Sequence, residues 1–153
     1  MSMTSKIFLD SSILVEKAKG SKHELFDFLI ENLTLEKCIN STVLSEFTYY
    51  YLAIEGSSSP RTLKEKQSIP DILQQNSPLE FLEIFTYLTD SQEITIIYLD
   101  LMQKYNLLPN DALILATCKI HQIPQIASFD TTDFEQACLG EDIKLIQNVK
   151  DLL

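Results

Sequence analysis

The chain has 153 residues, 45% hydrophobic and 22% charged, with only three glycines, which excludes an unfolded segment and fits one domain with its own core. Its net charge of −10, with 12 basic residues and a single arginine, Arg61, argues against non-specific duplex binding, whose affinity comes from phosphates neutralised by cationic side chains. The three cysteines, Cys38, Cys118 and Cys138, are odd in number and widely spaced, which argues against a disulfide framework or a zinc site.

The amino terminus, M-S-M-T-S-K-I-F-L-D, lacks the apolar run of a signal peptide, and no later run has the length of a membrane span, so the expected location is the cytoplasm. Lys6 to Asp10 reads as a short buried strand that ends in an acid, and Ile13, Leu14 and Val15 open a helix-compatible segment after Ser11 and Ser12. Ser21 to Leu35 fits a helix packed on one face, and Cys38 and Ile39 fit a very short strand. Asn40, Ser41 and Thr42 then supply capping residues for a helix with Val43, Phe47, Tyr50 and Ile54 along one stripe. Glu46 falls one turn inside that helix, near its positive end.

Composition shifts over residues 55–82, which carry a run of serines together with Pro60, Pro70 and Pro78. This is expected to be an excursion of broken helices inside a single domain spanning residues 1–153, with Pro60 in the first turn of one helix and Pro78 in that of another. Glu83 to Leu88 is compatible with a strand or with the helix from Pro78. Asp90 or Ser91 is expected to cap a helix through Tyr105, and Asn110 to cap a helix that is apolar nearly all round, from Ala112 to Ile120. Gln125 to Asp130 repeats the grammar of a strand ending in an acid, and Lys144 to Ile146 fits a last short strand. The alternation predicts an α/β fold with a central parallel sheet of four to five short strands flanked by helices.

Ligand sites in such sheets gather outside the carboxyl ends of the strands. Asp10, Glu46, Asp111 and Asp130 are the acids whose expected positions converge there, and Asp133 lies close behind. Each alone is compatible with a cap or a turn. Together they suit a hard divalent cation, which prefers oxygen ligands.

The blocks D-S-S-I-L-V, S-T-V-L-S-E-F, N-D-A-L-I-L-A-T and S-F-D-T-T-D-F resemble the acidic blocks of the PIN domain, most of all in VapC-type ribonuclease toxins of toxin–antitoxin pairs. The resemblance covers nearly the whole chain. It implies Asp10, Glu46, Asp111 and Asp130 as catalytic, metal-binding acids, with Asp133 a further acid at the metal, and Mg²⁺ or Mn²⁺ as cofactor. Ser12 and Ser128 stand where the family has small polar residues at the site, and Asn110 sits beside Asp111 in the third block. The implied activity is endonucleolytic hydrolysis of RNA by water, in a homodimer held by a small antitoxin, with no membrane association. Lys17 and Lys19 are expected to contact substrate phosphate. Two alternatives stand beside this: an RNA-processing nuclease outside a toxin pair, and an inactive PIN-like binding module. Tyr49, Tyr50 and Tyr51 could stack bases or serve core and dimer surface.

Overall fold

The structure is a computed structural model in which residues 5–153 are described. Residues 1–4, part of the stretch read above for a signal peptide, lie outside the described residues. Strands β1 (Ser5–Leu9), β2 (Leu35–Ile39), β3 (Thr86–Tyr87), β4 (Gln125–Ala127) and β5 (Lys144–Ile146) form one sheet in the order β3-β2-β1-β4-β5, and every pairing is parallel. Parallel neighbours require long crossovers, and helices supply them here. They are α1 (Ser11–Lys19), α2 (Glu24–Glu31), α3 (Ser41–Gly56), α4 (Pro60–Glu65), α5 (Ile69–Gln75), α6 (Leu79–Leu82), α7 (Ile94–Tyr105), α8 (Pro109–Ile120) and α9 (Thr131–Gly140), and a 3₁₀ turn, Val149–Leu152, ends the chain.

β1 is central because it can be buried on both faces. Ile7, Phe8 and Leu9 are fully enclosed, as a parallel strand with helices on either side requires. Its neighbours lead in opposite directions through the sheet, β2 to β3 on one side and β4 to β5 on the other. The strand order therefore reverses between β1 and β4, which opens a crevice at their carboxyl ends. α8 lies close against α7, and Ala112, Ile114, Leu115, Ala116 and Cys118 are all buried. The all-round apolarity of α8 has its cause in that burial.

Several boundaries differ locally from the sequence expectation. The helix expected over Ser21 to Leu35 is confined to Glu24–Glu31. Asn32 ends it by accepting hydrogen bonds from the Thr34 backbone N–H and hydroxyl at 3.3 and 2.8 Å, a local turn that competes with helix and frees Leu35 for β2. Glu83 to Leu88 divides between the two readings offered for it: α6 ends at Leu82, and β3 begins at Thr86.

Neither Asp90 nor Ser91 caps α7, which begins at Ile94 after Glu93. The Asp90 carboxylate instead accepts a hydrogen bond from Thr117 at 3.1 Å. α8 starts at Pro109, so Asn110 lies inside its first turn rather than at the cap. Proline suits the first helical position because its missing N–H would have had no partner there. The side chain of Asn110 is thereby free to reach α3. β4 ends at Ala127 instead of continuing to Asp130; Ser128 still donates its N–H to the Ile146 carbonyl at 3.0 Å, and its side chain reaches Asp10.

Cys38, Cys118 and Cys138 are buried and unbridged, and burial holds all three thiols above their ordinary range, Cys38 at about 11 and Cys138 at about 12. Such thiols remain protonated in the metal-free protein. No helix among the described residues is long and apolar enough to cross a membrane.

Candidate metal centre

The carboxyl edge of the sheet delivers acids from four places. Asp10 is the residue between β1 and α1, Glu46 lies in α3, Asp111 in the first turn of α8, and Asp130 immediately before α9. All four line one cleft of about 540 Å³, together with Ser11, Ser12, Val15, Glu16, Lys19, Tyr50, Ala53 and Ile54. A second cleft of about 410 Å³, bounded by Leu108, Pro109 and Asn110, shares Glu46, Asp111 and Asp130 with the first. The acids therefore sit where two openings meet.

Asp10 is only 5% exposed and is held by hydroxyls. Its Oδ2 accepts hydrogen bonds from Ser12 Oγ and Ser128 Oγ, each at 2.8 Å. Each hydroxyl in turn accepts a backbone N–H, Ser12 from Phe129 at 3.0 Å and Ser128 from Asp130 at 2.9 Å. A hydroxyl has one proton to donate, so the 3.5 Å approach of the two serines is a packing contact once both protons go to Asp10. The pair ties β1 to the end of β4 across the point where the strand order reverses. It leaves the second carboxylate oxygen of Asp10 uncommitted to either serine.

Glu46 is placed by two elements. Its Oε1 accepts from Ser11 Oγ at 3.3 Å and its Oε2 from Asn110 Nδ2 at 3.3 Å. Burial raises its carboxyl above the usual range, and the charge of Asp10 adds to the rise. One carboxylate oxygen from each of Asp111, Asp130 and Asp133 lies within 4.8 Å of the other two. Burial is the largest cause of the rise of Asp111 from 3.8 to about 7, and the charges of Asp10, Asp133, Asp130 and Glu46 all push the same way. Asp130 is raised as well, by burial and then by its contact with Asp133.

Such mutual repulsion is the electrostatic condition a bound cation relieves. The donor set is all oxygen, which fits a hard divalent ion. The lining residue that could offer competing positive charge, Lys19, is half exposed and lies within reach of Glu16 at 3.5 Å. Asp133 occupies the first turn of α9, a position that also complements the helix dipole.

The two lysines separate. Lys19 lines the acid cleft, whereas Lys17 Nζ pairs with Asp27 at 2.7 Å and lies 5.5 Å from the Phe26 ring centroid. So do the three tyrosines. Tyr50 faces the cleft, Tyr51 donates to the Asn76 carbonyl at 2.6 Å, and Tyr49 is exposed and meets Tyr50 edge to face.

Beyond the capping role expected of Asn40, a buried polar contact not anticipated from the sequence joins α3 to α8. Asn40, fully buried, accepts from the Val43 backbone N–H at 3.0 Å and donates to Thr117 Oγ1 at 2.9 Å. Thr117 in turn lies within hydrogen-bonding distance of Asp90 and the Leu113 carbonyl. This contact fixes the start of α3, which carries Glu46, to α8, which carries Asp111. Its signal in the sequence is the threonine in N-D-A-L-I-L-A-T, a polar residue that interrupts the apolar run Ala112 to Ala116.

The family model described as "PIN domain" matches residues 7–138. Ribonuclease VapC2 from Methanocaldococcus jannaschii is 35% identical over 143 residues, covering 92% of this chain and 95% of that protein. Ribonuclease VapC6 from the same organism is 32% identical, with 92% and 97% covered. Among solved structures, VapBC2 from Rickettsia felis bound to a DNA fragment from its promoter superposes with a TM-score of 0.59 at 20% identity, over 94% of this chain and 98% of that one. VapBC-1 from nontypeable Haemophilus influenzae gives 0.59 at 15% identity, over 94% and 97%. At those identities the structural likeness speaks to the fold, while the sequence match extends over most of the chain. This chain belongs to the PIN domain family.

Proposed function

We propose that this chain is a divalent-metal-dependent endoribonuclease, with Asp10, Glu46, Asp111 and Asp130 as its catalytic carboxylates and Asp133 as a supporting acid at the metal. One observation carries the reading: four acids from four separate elements line one cleft, where burial first and the neighbouring carboxylates second lift Asp111 to about 7. The two relatives named as ribonucleases support RNA as substrate.

Asp111, Asp130 and Asp133, whose carboxylate oxygens lie within 4.8 Å of one another, would hold Mg²⁺ or Mn²⁺ together with Asp10, with Glu46 facing them from α3. Such an ion, when bound, would supply a water of lowered pKa and offset charge on the phosphate. Ser12 and Ser128 keep Asp10 oriented, and Asn110 and Ser11 keep Glu46 from swinging out of the cleft. Glu46, held by Ser11 and Asn110 in the same cleft, would take a proton from the attacking water. The water oxygen forms the new bond to phosphorus, the bond to the leaving ribose oxygen breaks, and that oxygen takes up a proton.

The biological role that accords with the VapC relatives is the toxin of a type II toxin–antitoxin pair. It would act in the cytoplasm as a homodimer restrained by a small antitoxin. The test is incubation of purified protein with single-stranded RNA and Mg²⁺ or Mn²⁺, with and without chelator. Cleavage that chelator and Asp10→Asn both abolish is expected. RNA left intact with every divalent ion tried, or cut equally by Asp10→Asn, would overturn the reading.

A further inference from the structure

Resting on that reading of the site, we propose that the groove between α1 and α3 is a nucleoside subsite in which the base next to the scissile phosphate stacks on Tyr50. α1 and α3 both start at the carboxyl edge of the sheet and pack side by side. They run away from the acids as the two walls of the cleft.

The lining residues recur at helical spacing on each wall. α1 contributes Ser12, then Val15 and Glu16, then Lys19; α3 contributes Glu46, then Tyr50, then Ala53 and Ile54. Polar residues stand at the acid end, an aromatic and aliphatic stretch follows with Glu16 on its α1 side, and Lys19, 3.5 Å from that carboxylate, closes the far end. At about 1.5 Å of rise per residue, Lys19 stands roughly 10 Å along the helix from Ser12, a reach that suits one nucleoside between two phosphates. Gly20 then ends α1 in the left-handed conformation, with φ of 76°, so Lys19 occupies the last turn beside open solvent.

The side chains suit a base rather than an apolar peptide anchor. Tyr50 is 51% exposed and lines the cleft, with the similarly exposed Tyr49 crossing it at 5.5 Å between centroids on the solvent side of α3 without lining the cleft. Val15 on the facing wall, and Ala53 and Ile54 one turn further along the helix of Tyr50, are half-buried and supply the apolar surface around it. An exposed aromatic face beside aliphatic groups, between a carboxylate cluster and a lysine, matches a flat π-system that is tethered to phosphate at both ends. Stacking of this kind tolerates any base, so the groove contributes grip without a sequence code of its own.

The test measures binding and turnover together. A fluorescein-labelled single-stranded oligoribonucleotide of mixed sequence is titrated with wild type, Tyr50→Leu, Tyr50→Phe, Tyr49→Leu and Lys19→Met. Anisotropy is read in Ca²⁺, and cleavage in Mn²⁺. A second series carries an abasic nucleotide beside the mapped cleavage site. Tyr50→Leu should weaken RNA binding on the order of 10-fold. Tyr50→Phe should retain binding, Tyr49→Leu should leave it unchanged, and Lys19→Met should weaken it less than Tyr50→Leu. The abasic substitution should cost wild type as much as Tyr50→Leu does and cost that variant little more, because both remove one contact.

Wild-type cleavage together with full binding by Tyr50→Leu, or additive losses in the abasic series, would overturn the subsite and leave the nuclease reading standing. Absence of cleavage by wild type would instead count against the nuclease reading itself. Loss of a co-purified protein inhibitor by Tyr50→Leu with RNA binding intact would make the groove a protein site and overturn the proposal.

Discussion

Replacing Asp111 by asparagine should stabilise the metal-free protein at high pH and destabilise it relative to wild type once metal is added. A carboxyl whose folded pKa lies above its unfolded value binds more protons in the folded state. The folded protein is therefore progressively disfavoured as pH rises from about 4 to about 7, and the penalty is complete above that. The rise from 3.8 to about 7 sets a ceiling of about 4 kcal/mol, at about 1.36 kcal/mol for each tenfold change in proton affinity. Asp111 is only half-buried, and solvent screening reduces this to roughly 1–2 kcal/mol. Losing a negative charge in the first turn of α8 gives back about 0.5 kcal/mol.

The net gain for Asp111→Asn is about 1 kcal/mol at pH 8, or roughly 2–4 °C in Tm for a chain of this size. It should vanish below about pH 4. Adding Mn²⁺ at a hundred times its Kd would stabilise wild type by about 2.7 kcal/mol and the variant by less, which inverts the order. Thermal unfolding by circular dichroism from pH 4 to 8, with chelator and then with Mn²⁺, reads all of this. A variant that is less stable than wild type in chelator at pH 8, or a difference that ignores pH, would refute the electrostatic argument.

Other substitutions probe the supports of the site. Ser128→Ala removes one of the two hydroxyl donors to Asp10 and strands the Asp130 N–H, and should lower Mn²⁺ affinity by roughly 10-fold in a calorimetric titration, with the fold retained. Ser12→Ala should behave similarly, and the double variant should lose more than either. Asn40→Ala strips the cap of α3 and leaves buried Thr117 short of a partner, and should cost about 1–3 kcal/mol in urea unfolding. Phe8→Ala, at the fully enclosed centre of β1, should cost about 3–5 kcal/mol in the same measurement.

Much of the fold could be read from residues because its signals are local. K-I-F-L-D and Q-I-A-S-F-D mark strands buried on both faces, and Asn40 sits at the cap that its position before V-L-S-E-F suggests. What failed depends on competition between neighbours. Asn32 could end a helix or continue it, and its bonds to Thr34 decide. Asn110 has the chemistry of a cap, but Pro109 takes the first helical position and sends that amide to Glu46.

The convergence of Asp10, Glu46, Asp111 and Asp130 on one cleft could be anticipated because strand ends and helix starts share one edge of a parallel sheet. The orientation of Lys17 and of the three tyrosines could not, since adjacent residues on a helix point about 100° apart and only packing tells which one faces the cleft. Tyr50 is four residues after Glu46 and so lies on its face of α3, a spacing that becomes informative only once Glu46 is placed.

The most direct measurement of the central claim is anomalous diffraction from crystals of the protein soaked in Mn²⁺. The account predicts a manganese peak at the carboxyl edge of the sheet, ligated by oxygens of Asp10, Asp111, Asp130 and Asp133 and absent from Asp10→Asn crystals. A cleft without manganese at millimolar concentration, or an ion that persists in Asp10→Asn, would contradict it.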